Sequence, residues 1–194
     1  MMGKTEAQST ERQQPNPSND SRELIIREAV ADDVHLLEAI LFEAYSQYEQ
    51  ELPQDVWLAY KASIVEAINK SSTIAKLVAE LDGVVVGSVF VYASSETAYG
   101  NAELGIHSPI IRLLGVTGKA RGRGVATELI RASAKLAREQ GADLLYLHSS
   151  DMMEKAIRLY ERLGFERAHD KEFTTGNTLV KSYRLQLADT TLLQ

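Results

Sequence analysis

The sequence predicts a single α/β domain of the α+β type, built on a mixed β-sheet of about six or seven strands flanked by about four helices. Antiparallel hairpin signals occur in the first half of the chain and again near its end. Between them lies a strand–helix–strand pattern, which is typical of a parallel crossover. The length of 194 residues and the hydrophobic content of 44% suit one globular core.

The N-terminal third combines an irregular segment, a strand and two helices. Residues 1–22 are rich in Gln, Ser, Asn and charge and lack apolar periodicity, which predicts disorder. Leu24 begins a first strand, and Asp32 or Asp33 is expected to cap the helix that follows. Pro53 suits the first turn of a second helix. The apolar stripes of the two helices are Val34, Leu37, Leu41, Ala44 and Tyr48, and Trp57, Tyr60, Ile64 and Ile68.

A hairpin and a less regular segment follow the helices. Residues 74–81 and 84–92 are rich in β-branched side chains and flank Asp82-Gly83, a dipeptide typical of two-residue hairpin turns. They should pair antiparallel. Residues 94–109 contain Gly and Pro but little pattern, which predicts a loop with at most a short strand.

The C-terminal half contains the crossover. Residues 110–116 form the predicted strand before a glycine-rich loop, and a third helix runs from Val125 to a stop at Gly141. Residues 144–147 have the uninterrupted apolar character of a central strand. The two strands should therefore be parallel, with a right-handed connection.

The last part of the chain closes the sheet. A fourth helix is expected over 152–163, and residues 165–168 and 179–187 are expected to pair antiparallel. The domain then spans residues 23–188, and residues 189–194 form a tail.

Composition excludes several classes of protein and site. The chain has no cysteine, so disulfides, thiolate zinc sites and a cysteine nucleophile are excluded. The apolar run over 84–93 is too short for a bilayer and no apolar region follows the N-terminus, so we expect a cytoplasmic protein without a membrane partner. The net charge of −6 conceals a basic island over 112–138, with seven Lys or Arg against one acid. Such an island suits a small polyanion better than nucleic acid.

Residues 113–127, LLGVTGKARGRGVAT, join the predicted strand to the third helix through this basic island. A helix N-terminus presents backbone N–H groups without helical partners and the positive end of the helix dipole. Gly122 and Gly124 let the backbone approach a ligand closely, and Arg121 and Arg123 add positive charge. The segment therefore predicts a binding site for phosphate or pyrophosphate.

Two common phosphate-binding motifs do not fit this loop. A Walker A loop needs a glycine five residues before its Gly-Lys pair and a hydroxyl residue after it, positions held here by Leu113 and Ala120. The dinucleotide motif G-x-G-x-x-G needs a third glycine where the chain has Thr127. A nicotinamide-dependent oxidoreductase would also need a second domain, for which the chain has little room.

Two segments together carry a family signature, namely 121–126 (RGRGVA) and 159–165 (LYERLGF). They resemble the GNAT family of acyl-CoA-dependent N-acetyltransferases, most strongly over residues 110–165. The resemblance implies acetyl-CoA as acyl donor, with its pyrophosphate held by the amides of the loop and its pantetheine arm along the preceding strand. The residues that it assigns to the cofactor are Leu114, Val116, Lys119, Arg121, Gly122, Arg123, Gly124, Val125, Ala126, Thr127 and Met153.

The chain departs from the family pattern at two of these cofactor positions. Lys119 stands where the family usually has Gln or Arg, and Met153 stands where many relatives have Asn. The second departure removes one polar contact with the cofactor. By the same resemblance, a backbone N–H near Leu114 or Val116 would face the acetyl oxygen.

Tyr160 corresponds to the tyrosine that the family places beside the sulfur as general acid. A phenol with a pKa of about 10 can protonate a thiolate whose parent thiol titrates near about 8.5. The alternative is a packing role, because Tyr160 also continues the apolar stripe of Ala156, Ile157 and Leu163. We favour the catalytic role.

The sequence leaves the general base open. Many relatives carry Glu where this chain has Ile110, which cannot accept a proton. His107, Glu103 and His148 are the nearest candidates, and His107 is preferred for its ordinary histidine pKa. A water that relays the proton to an acid is the remaining option.

The expected activity is transfer of an acetyl group from acetyl-CoA to a primary amine of a small molecule or peptide, by direct transfer in a ternary complex and without a metal. The alternative is a catalytically silent acyl-CoA-binding or regulatory module, which Ile110 favours. Residues 28–60 contain eight acids and no Lys or Arg, which predicts a positively charged acceptor. No nucleic-acid partner is expected, and a homodimer stays open.

Overall fold

The structure is a computed structural model that describes residues 23–70 and 72–194, so the segment 1–22 lies outside the described residues. The described chain forms eight β-strands and five α-helices, joined by short 3₁₀ turns. The strands are β1 (Leu24–Glu28), β2 (Thr73–Leu81), β3 (Val84–Tyr92), β4 (Ile110–Val116), β5 (Leu144–Ser149), β6 (Glu166–Arg167), β7 (Phe173–Thr175) and β8 (Thr178–Gln186). The helices are α1 (Val34–Tyr45), α2 (Gln54–Asn69), α3 (Ser95–Tyr99), α4 (Val125–Glu139) and α5 (Glu154–Arg162).

The strands form one mixed sheet in the order β1-β2-β3-β4-β5-β8-β6, with β7 paired to the start of β8. The predicted hairpin of β2 and β3 is confirmed, and Asp82 and Gly83 both have the positive φ that its two-residue turn requires, 53° and 79°. The predicted crossover is also confirmed, because β4 and β5 are parallel and α4 connects them.

Helices cover both faces of the sheet. On one face α1 and α2 pack on side chains such as Phe90 and Ile110, and Leu41 and Ile64 are fully buried there. On the other face α4 and α5 pack on a second cluster that includes Leu129. No helix within the described ranges is long and apolar enough to span a bilayer.

The segment 94–109 differs from its prediction. It forms the short helix α3 and a 3₁₀ turn, whereas we expected a loop with at most a strand. The Ser94 side chain accepts a hydrogen bond from the Thr97 N–H, and Gly100 ends the helix in the left-handed region with a φ of 67°. These caps and the bond from the Ser95 N–H to the Ile106 carbonyl stabilise a helix too short to persist alone.

The C-terminal end of the sheet contains one more strand than the sequence predicted. The predicted strand after α5 is β6, a two-residue segment, and a separate strand β7 forms the tight hairpin with β8 around Gly176. The described sheet therefore has eight strands, where the sequence predicted six or seven. Residues 189–194, predicted as a tail, lie against α4, where Leu192 is buried and its carbonyl accepts from Arg131 Nε at 2.9 Å.

The start of α1 also departs from expectation. Asp33 does not cap the helix, because its carboxylate is occupied by Arg27, at 2.6 Å, and by the Val30 N–H, at 2.9 Å. Val34 is 42% exposed, and Tyr48 lies beyond the helix in a 3₁₀ turn. The buried stripe of α1 is instead Leu37, Ile40, Leu41, Ala44 and Tyr45.

Candidate active site

The separation of two parallel strands creates the candidate site. Strands β4 and β5 pair at Ile110 with Tyr146 and at Ile111 with Leu147, and no further pairing joins them within the described chain. Leu113, with a φ of 53°, forms a bulge that bends β4 away from this register. Beyond it lies a cavity of about 490 Å³ bounded by β4, the loop after it, α5 and the end of α1.

The start of α4 supplies free backbone donors at one end of this cavity. The first helical bond runs from the Glu128 N–H to the Gly124 carbonyl, which leaves the amides of Val125, Ala126 and Thr127 without helical acceptors. Gly122 and Gly124 have φ of 75° and 80°. A Cβ added at either glycine would meet no atom within 4 Å, so the backbone conformation is what requires glycine there.

The charged residues of the loop have different positions. Arg121 lines the cavity and donates from Nε to the Val116 carbonyl and from Nη2 to the Ala44 carbonyl, both at 3.3 Å. Lys119 and Arg123 are exposed and lie outside the cavity lining. All the other residues that the family resemblance assigns to the cofactor line the cavity, including Met153.

A carboxylate of α1 binds the backbone at the start of the glycine-rich loop. Glu43 Oε1 accepts a hydrogen bond from the Gly118 N–H at 2.8 Å. This contact joins the acidic surface of α1 to the beginning of the basic loop, so the position of the loop depends on α1.

Tyr160 lies on α5 with its ring in the core and its side chain on the cavity wall. The ring centroid is 6.0 Å from that of Phe165 and 6.5 Å from that of Tyr183. Burial raises the pKa of the Tyr160 phenol, so the hydroxyl stays protonated at neutral pH. The sequence left a packing role and an acid role open, and this position is compatible with both.

Tyr45 is a cavity residue that sequence reasoning missed. It ends α1, and its hydroxyl donates to the Leu114 carbonyl, next to the bulge of β4, at 3.3 Å. Its ring contacts those of Tyr48 and Tyr60, with centroids 6.2 and 5.5 Å away. The spacing of aromatic residues along α1 and α2 was the available signal, but it does not reveal which ring reaches β4.

The three candidate bases lie outside the cavity lining. His107 and Glu103 are exposed in the segment before β4. His148 is held at both ring nitrogens, because Nδ1 accepts from the Tyr99 hydroxyl at 2.9 Å and Nε2 donates to the Lys171 carbonyl at 3.3 Å. Burial lowers the pKa of His148 to about 4, so it is neutral at pH 7 without a free nitrogen.

The cavity also lacks an obvious proton acceptor. No His, Asp or Glu from the described residues lines it. Ile110, at the family's usual Glu position, is fully buried. Across residues 23–70 and 72–194, no three His, Asp or Glu side chains are grouped to hold a metal ion.

A known protein family matches the part of the chain that contains the loop, the bulge and Tyr160. The sequence model of the acetyltransferase (GNAT) family matches residues 34–165, more than half of the chain. The chain belongs to the GNAT family. The alignment begins with α1 and ends at the phenylalanine after α5, so it contains the whole cavity.

Individual members of the GNAT family match only part of the chain. N-acetyltransferase family 8 member 2 of Rattus norvegicus is 34% identical over 90 residues, which cover 46% of this chain and 38% of that protein. The chain therefore aligns with well under half of that relative's length.

Two solved structures have a similar fold. The structure of the PaiA N-acetyltransferase of Thermoplasma acidophilum in complex with coenzyme A has a TM-score of 0.62 and 14% identity, and the alignment covers 82% of this chain and 98% of that one. The yncA structure from Salmonella typhimurium, with its cofactor acetyl-CoA, gives a TM-score of 0.56, 18% identity, and coverage of 86% and 95%. At these identities the two structures support the fold alone.

Proposed function

We propose that this GNAT protein is an N-acetyltransferase that moves an acetyl group from acetyl-CoA to a primary amine in a single ternary complex. The observation that carries the proposal is one cavity with free helix amides at one end and the buried residue Tyr160 on its wall. Anions favour such amides, and a protonated phenol favours a departing thiolate.

The residues of the cavity fit the acyl donor. The amides of residues 122–127 would hold the pyrophosphate, and Arg121 adds a positive charge beside them. The main chain of Leu114 and Val116 would bind the pantetheine arm and donate to the acetyl oxygen. Acetyl-CoA supplies the acyl group as a thioester.

Tyr160 would complete the transfer of the acetyl group. The amine nitrogen forms a bond to the thioester carbon, the carbon–sulfur bond breaks, and the Tyr160 hydroxyl gives its proton to the sulfur. The amine loses its proton to water, which relays it to a carboxylate or imidazole outside the described cavity lining, and the Tyr160 phenolate takes a proton back from solvent. His107, though exposed, stays a candidate for the end of that relay.

The acceptor would enter from the α1 and α2 side, where the surface carries acids. Glu49, Glu51 and Asp55 are exposed, and residues 28–60 contain no Lys or Arg. A field of one sign concentrates cations at this surface, which supports a positively charged amine as the acceptor.

The variant Gly124→Asp tests the anion site. The new carboxylate would lie where the phosphates bind, so we expect CoA affinity to fall by about 100-fold or more with the fold retained. Isothermal titration calorimetry with CoA measures it. Gly141→Asp is the matched control, because Gly141 has a φ of 78° at the other end of α4 and open space around it. Wild-type affinity in Gly124→Asp would remove the pyrophosphate assignment.

A silent acyl-CoA-binding module is the second candidate function. The absence of His, Asp and Glu from the described cavity lining favours it. Such a module would bind CoA as tightly as an enzyme but release no CoA thiol when amines are added. An amine panel with acetyl-CoA and thiol detection separates the two functions.

A further inference from the structure

A second cavity, of about 500 Å³, lies on the α2 side of the sheet. It is bounded by the C-terminal half of α2, by α3, and by Tyr92 and Arg112 of strands β3 and β4. Arg112 precedes Leu114, a residue of the first cavity, by two positions, with the Leu113 bulge between them. The two cavities thus lie along the same stretch of β4, although no residue lines both.

Aromatic rings and one carbonyl fix the guanidinium of Arg112. Its centre lies 4.6 Å from the ring centroid of Tyr99 and 5.6 Å from that of Tyr92. Nη1 donates to the Ala98 carbonyl. These contacts define the plane of the half-buried group and leave its remaining N–H donors for the cavity.

Arg112 has no carboxylate partner in the described part of the chain. Glu66 and Glu96 line the same cavity, but Glu66 pairs with Lys70 at 2.6 Å and neither forms an ion pair with Arg112. A partly desolvated cation without a counter-ion attracts an anion more strongly than an exposed cation does.

The charge of Arg112 also acts on Tyr60, a residue of α2 whose ring contacts Tyr45 of the first cavity. Burial raises the pKa of Tyr60 to about 12, and the positive charge of Arg112 opposes that rise. The Tyr60 ring in turn contacts Tyr45, whose hydroxyl binds the Leu114 carbonyl. An anion at Arg112 would therefore change the electrostatic environment of Tyr60, which is one aromatic contact away from the first cavity.

We propose that Arg112 binds a carboxylate of the acceptor, so that the enzyme favours amines that also carry a carboxylate, such as an amino acid or a short peptide. This inference rests on the proposed acetyltransferase function. A guanidinium held in one plane can bind a carboxylate with two parallel hydrogen bonds, a geometry that lysine cannot supply. The acidic surface of α1 and α2 would attract the amine end of the same molecule, and a second carboxylate would be disfavoured.

The test compares leucine with leucinamide as acceptors, because the pair differs only in the carboxylate. We expect the ratio of their kcat/KM values to fall by about 10- to 100-fold in Arg112→Gln, the loss typical of hydrogen bonds to a charged group. Lys61→Gln is the matched control, since it removes a cation of α2 that lines neither cavity and should leave the ratio unchanged. Arg112→Lys keeps the charge without the planar fork and should give an intermediate ratio.

The result that would overturn the proposal is the same ratio in wild type and Arg112→Gln. If the wild type acetylates no amine, the proposed function fails, and the site is tested by calorimetry with N-acetylleucine and N-acetylleucinamide. The proposal then requires tighter binding of N-acetylleucine to the wild type and no difference between the two probes with Arg112→Gln. Circular dichroism shows whether each variant folds. If Arg112→Gln is unfolded, the test is the comparison of wild type with Arg112→Lys, in which an unchanged ratio overturns the proposal.

Discussion

Burial restricts the chemistry open to the phenol of Tyr160. Because burial raises its pKa, the hydroxyl stays protonated at neutral pH, so it can serve as a proton donor and not as the general base. Its partners in the described core are rings, namely Phe165 and Tyr183, and they make no hydrogen bond to its oxygen. A hydroxyl without a hydrogen-bond partner among the described residues, on a residue that lines the cavity, favours the acid role over packing alone.

Replacing Tyr160 by Phe removes the proton and keeps the ring. We expect kcat to fall by about 100-fold, the low end for general acid catalysis, while thermal unfolding changes little. Tyr183→Phe is the control, because Tyr183 belongs to the same buried cluster but does not line the cavity. An unchanged kcat in Tyr160→Phe with an efficient acceptor would assign Tyr160 to packing.

His148 makes stability depend on pH. Burial lowers the pKa of its imidazole from 6.5 to about 4, so between these values the unfolded chain binds more protons than the folded one. The free energy of unfolding should therefore fall as the pH drops from 6.5 to 4, by at most about 3 kcal/mol and less given partial exposure. Urea unfolding at pH 7 and 4.5 measures the loss. The variant His148→Gln should lose less unfolding free energy between these pH values than the wild type, whereas the control His107→Gln should lose as much. Equal losses in the wild type and both variants would contradict the role of His148.

Strand β4 positions both cavities. Its bulge at Leu113 separates it from β5, its carbonyl at Leu114 accepts from Tyr45, and its Arg112 lines the second cavity. Gly115 allows α1 to approach, because a Cβ there would lie 2.9 Å from Leu41 Cδ2 and 3.2 Å from Ala44 Cβ. The contact between α1 and β4 is thus as close as the backbone allows.

Gly115→Val tests this contact. We expect a loss of about 1–3 kcal/mol in unfolding free energy from overpacking, together with weaker CoA binding as α1 moves the Tyr45 contact. Chemical denaturation and calorimetry measure the two effects. Gly118→Ala is the control, since its Cβ would meet its nearest atom at 3.6 Å. Wild-type stability in Gly115→Val would show that α1 does not need this close approach.

Elements encoded by local patterns were predictable from the sequence. The Asp82-Gly83 turn, the strand before the basic loop and the helix after it depend on neighbouring residues. Helix α3 and strand β7 were missed because they are only five and three residues long and depend on tertiary contacts. The strand predicted over 165–168 is confirmed as β6, although it is only two residues long.

The same distinction applies to the site. The glycine loop was predictable from the sequence. A helix N-terminus leaves backbone amides without helical partners, and glycines are typical of positions with positive φ. The roles of Tyr45 and Arg112 depend on where α1 ends and on which face of β4 each side chain lies. Neither property is readable from spacing when a bulge changes the alternation of the strand.

At the scale of the molecule, charge is divided between two surfaces. The basic loop brings Arg121 to the first cavity, whereas the acids lie on α1 and α2, the side from which we propose that the acceptor enters. Long-range fields of this kind bias which substrates approach and weaken as salt is added.

Lysine and glutamate test this field, because both carry the α-carboxylate and differ in side-chain charge. We expect kcat/KM to favour lysine by about 10-fold at low salt, and the preference to shrink at 0.5 M salt, where screening acts within about 4–5 Å. Initial rates at two salt concentrations measure it. Equal or better use of glutamate at low salt would leave the acids as ordinary surface.

The central claim is direct acetyl transfer from acetyl-CoA to an amine, and two-substrate kinetics with mass spectrometry of the amine tests it most directly. We expect an N-acetylated product, one CoA thiol released for each acetyl transferred, and double-reciprocal plots that intersect. Parallel plots would indicate an acetylated enzyme instead of a ternary complex. CoA binding without any acetylated amine across the panel would contradict the claim and identify the protein as a silent acyl-CoA-binding module.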